Sequence, residues 1–507
     1  MAYLLGIDIG TSGTKTVLFD ERGNTVHSAV EEYPMYQPHI GWAEQQPQDW
    51  WNAVVNTIKE VIKKSGVNAH DIKGIGLSGQ MHGAVLLDKE YKVLRPAIIW
   101  CDQRTHKECD EITEIIGKER LIELTANPAL TGFTASKVMW IKNNQPEIFE
   151  RIHKVLLPKD YIRFMLTGEF ATEVSDASGT QFLNIGERNW SYEVLDKLGI
   201  PRNWMPDVYE SAEVSGTVSE KAASLTGLKQ GTPVVGGAGD QAAGAVGNGI
   251  VTTGVISSTI GTSGVVFAYT DKVSIDGKGR VHTFCHAVPG TWHVMGVTQG
   301  AGLSLKWLRD NFGNMEISLS KFLEIDPYVL MDQEAEKSPP GSQGLIYLPY
   351  LMGERTPHLD PHAKGVFFGL TAKHTRQDVI RSVMEGVSYS LRDCFEIIRE
   401  LDIEVNEVRA SGGGGRSRLW RQMQADMFNR DIVTINSGEG PALGVALLAG
   451  VGAGIYDNVP QACEATIKRE SIQRPIPENV EVYDKYYPIY KGLYADLKDK
   501  FKEISMI

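Results

Sequence analysis

The stretch LLGIDIGTSGTKTVLF, residues 4–19, decides how this chain folds. Two apolar runs with the composition of β-strands flank a turn of Gly, Thr and Ser, and one carboxylate, Asp8, ends the first run. A turn with few Cβ atoms exposes backbone N–H groups and hydroxyls, which together can surround an anion. We interpret Gly10 to Thr14 as a phosphate loop and Asp8 as the carboxylate beside its Mg²⁺. A β-hairpin with a polar turn explains this stretch alone equally well.

A second copy of the motif favours the phosphate interpretation. Residues 255–269 read VISSTIGTSGVVFAY, which repeats IGTSG between β-rich flanks and places Thr259 where the first copy has Asp8. Two such hairpins, of which one carries an acid, indicate two similar halves that face each other across a nucleotide. The metal is then expected to be held from one side.

Length and charge limit the classes of function. A chain of 507 residues exceeds what one hydrophobic core usually supports, so we expect two domains, residues 1–249 and 250–507. The formal net charge of -12 argues against a nucleic-acid partner, which requires a basic face. It does not argue against ATP, because charges beyond roughly 8–10 Å are screened at physiological salt.

The cysteines and the apolar runs indicate where the protein works. The five cysteines are scattered without a CxxC pair, which is typical of reduced thiols in the cytoplasm. The first residues, MAYLLGIDIG, lack a basic region and lead straight into a strand, so we expect no signal peptide. No apolar run reaches the roughly 20 residues of a membrane-spanning helix. We therefore expect a cytoplasmic protein without a membrane partner.

Strand and helix patterns alternate along the chain, which predicts an α/β fold. Pro47 opens a helix that ends near Gly66, and a buried strand, IKGIGLSG, follows at 72–79. Further helices are predicted at 375–401 and, from small residues, at 440–454. The charged, Pro-rich run at 334–344 predicts a surface loop.

Polar residues follow two of the predicted strands. Ligands of α/β folds bind at the carboxyl ends of strands, which makes His82 in GQMHGA a candidate contact, although a lone His is more often structural. Asp240 begins a helix after the turn Gly236 to Gly239. Ordinary N-capping explains an acid at that position, but a cap does not require four small residues before it. Asp102 and Arg104 are either an ion pair that fixes a turn or hydroxyl-binding groups.

Gly-rich loops and two acids far apart in sequence fit phosphoryl transfer. That reaction requires alignment, charge neutralisation and a base for the acceptor hydroxyl. A third loop, SGGGGRSRLWRQMQAD at 411–426, lets a flat ring or phosphate approach the backbone at a helix start. No stretch fits GxxxxGK[ST], so a P-loop fold is not expected, and GGAGDQ is too loosely spaced for a dinucleotide fingerprint.

Motifs from end to end resemble the FGGY family of carbohydrate kinases. They stand in that family's order: GIDIGTSGTK, GQMHGA, FTASKVMWI, LLPKDYIRFMLTGE, GGAGDQAAGA, IGTSG, FCHA, GERTPH, KGVFFGLT, EGVSYSL and SGGGGRSRLWRQMQAD. Single Gly motifs are common, but this many in order are specific. The resemblance implies two ribonuclease-H-like α/β domains of the actin/hexokinase/Hsp70 superfamily, facing a central cleft that holds ATP and Mg²⁺.

The resemblance also implies roles for individual residues. Asp240 is the general base, and Asp8, with Asp240, holds the metal, partly through water. The expected ATP-binding residues are Gly10, Thr11, Ser12, Lys15, Gly261, Thr262, Gly413 and Gly414. The expected sugar-binding residues are Met81, His82, Asp240 and Gln241.

The acceptor follows from GQMHGA, which is similar to the xylulose-type rather than the glycerol-type members of the family. We expect ATP-dependent conversion of D-xylulose to D-xylulose 5-phosphate by a protein that is a possible homodimer. Gln241 departs from this pattern, because xylulose-type members often have Asn there. Ribulose, gluconate and glycerol therefore stay open as acceptors, and a sugar-responsive ATP-binding protein without kinase activity is a further alternative.

Overall fold

Two seven-stranded sheets frame the molecule within residues 2–436 and 438–507, which this computed structural model describes. The strands of the first sheet are β1 (Tyr3–Ile9), β2 (Gly13–Asp20), β3 (Thr25–Glu32), β4 (Ile72–Gly79), β5 (Val214–Thr217), β6 (Pro233–Val235) and β7 (Ala238–Gly239). The strands of the second are β8 (Gly254–Ile260), β9 (Gly264–Thr270), β10 (His282–Cys285), β11 (Trp292–Thr298), β12 (Val405–Ser411), β13 (Asp431–Ile435) and β14 (Arg469–Gln473).

The strand order repeats between the two sheets when both are read from the same edge. The first sheet runs β3-β2-β1-β4-β6-β5, with β7 also paired to β4. The second runs β11-β9-β8-β12-β13-β14, with β10 added outside β11. In each sheet the first hairpin strand pairs antiparallel with its successor and parallel with a later strand. The α/β class and the two similar halves predicted from the repeated IGTSG motif are therefore confirmed.

Helices flank the two sheets. In the described residues they are α1 (Pro47–Ser65), α2 (His106–Ile116), α3 (Lys118–Thr125), α4 (Thr134–Asn144), α5 (Pro146–Phe149), α6 (Pro158–Thr167), α7 (Val174–Ala177), α8 (Tyr192–Leu198), α9 (Glu220–Thr226), α10 (Asp240–Gly247), α11 (Ala301–Phe312), α12 (Asn314–Leu323), α13 (Pro327–Glu336), α14 (Arg376–Glu400), α15 (Arg418–Phe428), α16 (Gly440–Gly452), α17 (Val459–Thr466) and α18 (Pro477–Ser505). None of these helices is both long and apolar enough to cross a membrane.

Short strands outside the two sheets form additional ribbons. They pair Glu44–Gln45 with Ala97–Ile98, Val85–Leu87 with Lys154–Leu156, Ala171–Glu173 with Asp207–Tyr209, Leu183–Asn184 with Asn189–Trp190, and Ile346–Leu348 with Val366–Phe368.

The long helices begin and end where local signals place them. Pro47 occupies the first turn of α1, and Gly66 ends it in the left-handed conformation. A capping box between Thr375 and Asp378 starts α14, whose buried side chains fill the core of the second half. The loop predicted at 334–344 is wrong in its first residues, because α13 continues to Glu336 with Ala335 buried in that core.

Helix α16 joins the two halves. Although it lies late in the sequence, it packs against β1 and β4 of the first sheet and against α10. The contacts are backbone to backbone: a Cβ on Gly444 would lie 1.9 Å from the carbonyl oxygen of Ala243, and one on Gly76 1.9 Å from that of Val445. Glycine at these positions therefore permits an approach that any side chain would block. The domain boundary at residue 249 stays a prediction.

Candidate active site

The first hairpin turn, between β1 and β2, is held by side chains from elsewhere in the chain. The amide of Gln45 donates to the carbonyl oxygen of Thr11 (2.7 Å), and the indole N–H of Trp100 donates to its hydroxyl (2.9 Å). The Tyr33 hydroxyl donates to the carbonyl oxygen of Gly10 (2.5 Å). These bonds orient the turn that contains the predicted phosphate-binding residues Gly10, Thr11 and Ser12.

Asp8 lies at the carboxyl end of β1 beside this turn. Its Oδ1 atom is buried, and no residue of 2–436 or 438–507 donates a hydrogen bond to it. Burial raises the pKa of the Asp8 carboxyl, and the Ser78 hydroxyl and the Lys15 charge oppose that rise. A buried carboxylate oxygen without a donor fits a hard cation such as Mg²⁺, which binds through few carboxylates and keeps several waters.

The strand register brings Asp240 to the same edge of the sheet as Asp8. Asp8 is paired with Ser78 on β4, and Ser78 is paired with Ala238 on β7. Because β1, β4 and β7 are parallel, their carboxyl ends meet at one edge, and Asp240 directly follows β7. The two acids, 232 positions apart in sequence, are thereby brought together at the site where α/β folds bind ligands.

Asp240 has the acid–base properties of a general base. Burial, and then the negative charge of Asp8, raise its pKa to about 7, while two hydrogen bonds from Gln241 act in the opposite direction. The backbone N–H of Gln241 donates to Asp240 Oδ1 at 2.8 Å. A carboxyl with a pKa near physiological pH can both accept and release a proton. Asp240 and Gln241 face a cavity of about 810 Å³.

The second hairpin turn, between β8 and β9, contains Gly261 and Thr262. The first residues of α11 brace it: the N–H of Gly302 donates to the carbonyl oxygen of Gly261 (2.8 Å), and that of Leu303 to Thr262 (3.1 Å). Thr259 occupies the position equivalent to Asp8 and shares a hydrogen bond with Ser411 (2.6 Å). The acid is thus replaced by a neutral pair on this side of the cleft.

A second cavity, of about 480 Å³, adjoins the first. It is lined by Gly261, Thr262, Gly413 and Gly414, all predicted to contact ATP. Gly413 and Arg416 line both cavities, and Asp240 lines the first one together with Gly413, so the first cavity extends from Asp240 to the Gly-rich loop. A Cβ on Gly414 would lie 2.5 Å from the Ile260 side chain, which explains why the loop lacks side chains here.

Met81 and His82 follow β4, whose carboxyl end is paired with that of β7, the strand directly before Asp240. Neither of them lines the cavity that Asp240 lines. His82 Nδ1 lies 2.7 Å from the carbonyl oxygen of Gly179, which can only accept, so Nδ1 carries the proton. Burial lowers the pKa of His82 to about 3, so the ring is neutral and Nε2 is an acceptor. Met81 packs beside Gly239, where a Cβ would lie 3.0 Å from the Met81 side chain.

Lys15 lies on β2, opposite Asp8 in the strand register. Its ammonium lies 2.5 Å from the Glu439 carboxylate, directly before α16. The predicted ATP-binding lysine therefore also joins the first hairpin to the helix that connects the two halves.

Asp102 and Arg104 have the structural role that the sequence left open. The guanidinium of Arg104 lies 2.6 Å from Asp102, and Asp102 also accepts the backbone N–H of Ala43 at 2.6 Å. Arg104 stacks over the Trp42 ring at 3.6 Å. The pair fixes the turn that follows Trp100.

Sequence reasoning missed the side chains that support the first hairpin. Trp100 lies beside the predicted pair Asp102 and Arg104 and is 45% exposed, which is unusual for a tryptophan in an apolar run. Gln45 showed no signal in sequence. No group of three or more His, Cys, Asp or Glu that could hold a metal occurs in the described part of the chain. A cation bound by Asp8 therefore needs water or substrate oxygens as further ligands.

Comparison with known proteins places this geometry among sugar kinases. Residues 3–247 match the N-terminal domain of the FGGY family of carbohydrate kinases, and residues 256–453 match its C-terminal domain. The xylulose kinase of Bacillus subtilis is 40% identical over 499 residues, 98% of each chain. The gluconokinase of the same organism is 34% identical over 506 residues, 99% of this chain and 98% of the relative. The crystal structure of xylulose kinase from Rhodospirillum rubrum superposes with a TM-score of 0.91 at 30% identity, covering 99% of this chain and all of the other.

Proposed function

Because the chain belongs to the FGGY family of carbohydrate kinases, we propose that it transfers the γ-phosphoryl group of ATP to D-xylulose and forms D-xylulose 5-phosphate. The observation that carries the proposal is the place of Asp240. A carboxyl with a pKa of about 7 lines the same cavity as Gly412 and Gly413 of the Gly-rich loop. Similarity to xylulose kinases over nearly the whole chain supports D-xylulose as the acceptor.

In the proposed reaction Asp240 removes the proton from the terminal hydroxyl of the ketose. The hydroxyl oxygen attacks the γ-phosphorus, a new P–O bond forms, and the bond between that phosphorus and the bridging oxygen breaks as ADP leaves. The pKa of Asp240 near 7 supports this role, because the base must be ionised before the step and protonated after it. Alignment of the two substrates supplies a large part of the catalysis.

The two hairpin turns are proposed to hold the triphosphate from opposite sides. Thr11 and Ser12 offer backbone N–H groups and hydroxyls from the first half, and Thr262 offers its own from the second. The N–H groups of Gly10 and Gly261 donate within their turns, to the carbonyl oxygens of Gly13 (3.0 Å) and Ser263 (2.9 Å), so these two glycines are proposed to leave room for the phosphates. Gly413 and Gly414 are proposed to contact the adenosine, because they line the second cavity. Lys15 adds a positive charge beside the first turn.

Mg²⁺ is proposed to bind beside Asp8, with Asp240 nearby and water completing the coordination. It would neutralise charge on the phosphate oxygens. The support is the chemistry of Asp8: a buried carboxylate oxygen to which no described residue donates. Thr259 at the equivalent position of the second half offers no such charge.

The sugar is proposed to contact Met81, His82, Asp240 and Gln241. Neutral His82 presents Nε2 as an acceptor for a sugar hydroxyl, and the Gln241 amide can both donate and accept. Hydrogen-bonding sites of this kind reject an acceptor that lacks the matching hydroxyl more strongly than one that differs in configuration.

Gluconate is the second candidate acceptor. A gluconokinase is among the relatives, at 34% identity, and Gln241 stands where xylulose-type members often have Asn. An assay of ADP release with D-xylulose, D-ribulose, gluconate and glycerol decides between them. We expect the highest kcat/KM with D-xylulose. A higher kcat/KM with another acceptor would assign that acceptor as the substrate instead. A rate of ATP hydrolysis that no sugar changes would reject the kinase proposal.

We also propose a cytoplasmic location and retain the possible homodimer as a prediction. The five cysteines, Cys101, Cys109, Cys285, Cys394 and Cys463, are free thiols, which fits a reducing compartment. Light scattering of the purified protein measures its oligomeric state directly.

A further inference from the structure

A cluster of buried charges lies behind the turn that leads to Asp240. Lys159, on α6, has its ammonium 2.6 Å from Asp160, 3.2 Å from Asp176 and 3.4 Å from Glu173. All four side chains are inaccessible to solvent. Burying charged groups costs free energy that their mutual attraction only partly offsets, so such a cluster is weak evidence for stability alone.

Hydrogen bonds connect this cluster to the residue before Asp240. The Ser175 hydroxyl donates to the Glu173 carboxylate (3.0 Å) and accepts the backbone N–H of Gly239 (3.1 Å). Gly239 is the N-cap residue of α10 and directly precedes its first residue, Asp240. Glu173 therefore orients the hydroxyl that fixes the start of the helix carrying the proposed base.

Glu173 also reaches the other end of the same turn. It accepts a hydrogen bond from the Ser211 hydroxyl (2.8 Å), and the carbonyl oxygen of Ser211 accepts the N–H of Gly237 (2.9 Å). Gly237 has a φ of +70°, and a Cβ there would lie 2.0 Å from the carbonyl oxygen of Leu77. Because the methyl group of Ala238 is the one side chain in this turn, its shape depends on the groups around it.

Arg163 completes the support from the same cluster. Its guanidinium donates to the carbonyl oxygen of Val235 (2.9 Å) and to that of Gly236. It also lies 3.4 Å from Asp160, so the charges that hold the turn are tied to the charges around Lys159.

The same segment contacts the proposed sugar-binding side. Gly179, four residues after Ser175, accepts the hydrogen bond from His82, and a Cβ on Gly179 would lie 2.5 Å from His82 Nδ1. Residues 173–179 thus contact both the turn before the base and the histidine that is proposed to bind the acceptor.

We infer that Glu173 and Ser175 are positioning residues, which set the orientation of Asp240 relative to the acceptor hydroxyl through the backbone of Gly239. The inference rests on the proposed function of Asp240 as the base. Neither residue is asked to contact the substrate or to transfer a proton. Their effect is on geometry, and displacement of a reacting group by about 1 Å can cost on the order of 100-fold in rate.

The test compares Ser175→Ala with Thr172→Val in the full-length protein. Thr172 is the matched control, because its hydroxyl donates to Asp160 in the same cluster (2.6 Å) but makes no hydrogen bond to the turn. For Ser175→Ala we expect kcat with D-xylulose to fall about 10- to 100-fold, the KM for MgATP to stay within about twofold, and the acid limb of the pH profile of kcat/KM to move. For Thr172→Val we expect a Tm similar to that of Ser175→Ala and a pH profile of kcat/KM like that of the wild type.

The outcomes separate this inference from the proposed function. One outcome is that Asp240→Asn is inactive, while Ser175→Ala and Thr172→Val have equal Tm values and lose equal activity. This would overturn the positioning role of Ser175 and leave Asp240 as the proposed base. If Asp240→Asn is fully active, the base itself is wrong. Glu173→Gln provides a second variant if Ser175→Ala does not fold. A loss of Tm in Glu173→Gln without a change in kcat or in the pH profile would overturn the inference.

Discussion

The pKa of Asp240 leads to a prediction about how the reaction depends on pH. It rises from an ordinary 3.8 to about 7, roughly three pH units, which corresponds to about 4 kcal/mol between the two protonation states. Burial is the largest cause, and the Asp8 charge is the second. Because a base must be ionised, kcat/KM for the ketose should fall about tenfold per pH unit below pH 7.

Replacement of Asp240 is a second test of its proposed role as the general base. Asp240→Asn keeps the size of the side chain and removes the proton acceptor, so kcat should fall by roughly 10²–10⁴-fold. Binding of ATP should persist, because the proposed adenosine residues Gly413 and Gly414 line a second cavity, which Asp240 does not line. The assay is ADP release at saturating D-xylulose and MgATP, with ATP affinity measured by calorimetry.

Asp393→Asn is the matched control for this experiment. Asp393 is also a buried aspartate whose pKa burial raises to about 7, but it lies on α14, where it accepts a hydrogen bond from the Tyr487 hydroxyl (2.6 Å). Its replacement should leave kcat and the acid limb unchanged. Near-normal turnover of Asp240→Asn, an acid limb that stays near pH 4, or an equal effect of Asp393→Asn would refute the assignment of the base.

Three further predictions concern stability, nucleotide binding and the link between the halves. The pKa of Asp393 is higher in the folded protein than in the unfolded chain, so the free energy of unfolding should decrease as pH rises from about 4 to about 7, by as much as about 4 kcal/mol. Asp393→Asn should therefore flatten the dependence of Tm on pH over this range. An unchanged slope would contradict the assignment. Gly414→Val would place a side chain against Ile260, since even a Cβ at this position would lie 2.5 Å from the Ile260 side chain. It should raise the KM for ATP at least about tenfold, while the KM for D-xylulose stays nearly constant. Equal changes in both KM values would argue against an adenosine site at Gly414. Lys15→Met removes an ion-pair partner of Glu439 and also a positive charge beside the first turn, whereas Glu439→Gln removes the ion pair alone. Lys15→Met should therefore raise the KM for ATP more than Glu439→Gln does. A larger rise in Glu439→Gln would assign Lys15 a purely structural role.

Local signals in the sequence were enough to predict several of the long elements. Pro47 and Gly66 bracket α1, and Thr375 with Asp378 begins α14, because capping and turn formation depend on residues within a few positions of one another. The error at 334–344 has a tertiary cause. Ala335 is buried in the core of the second half, and that packing holds as helix a segment whose charge and prolines predicted a loop.

Supporting groups around the site were beyond the reach of sequence patterns. Gln45 and Trp100 bind the hairpin turn from 34 and 89 positions away, and Ser175 binds Gly239 from 64 positions away. None of these residues belongs to a local motif, because its partner is chosen by how helices and strands pack. Their roles became visible only as contacts.

The sequence by itself determined the two hairpins, the α/β class and the residue types able to bind phosphate, because a Gly-rich turn between apolar strands is specified by neighbouring residues. The tertiary structure decided that Asp8 and Asp240 share one edge of the sheet and that α16 crosses to the first half. Both facts depend on strand register and on backbone contacts between distant glycines, such as Gly76, and their partners. The pKa of Asp240 also belongs to the structure, since burial and a neighbouring charge exist only after the chain has folded.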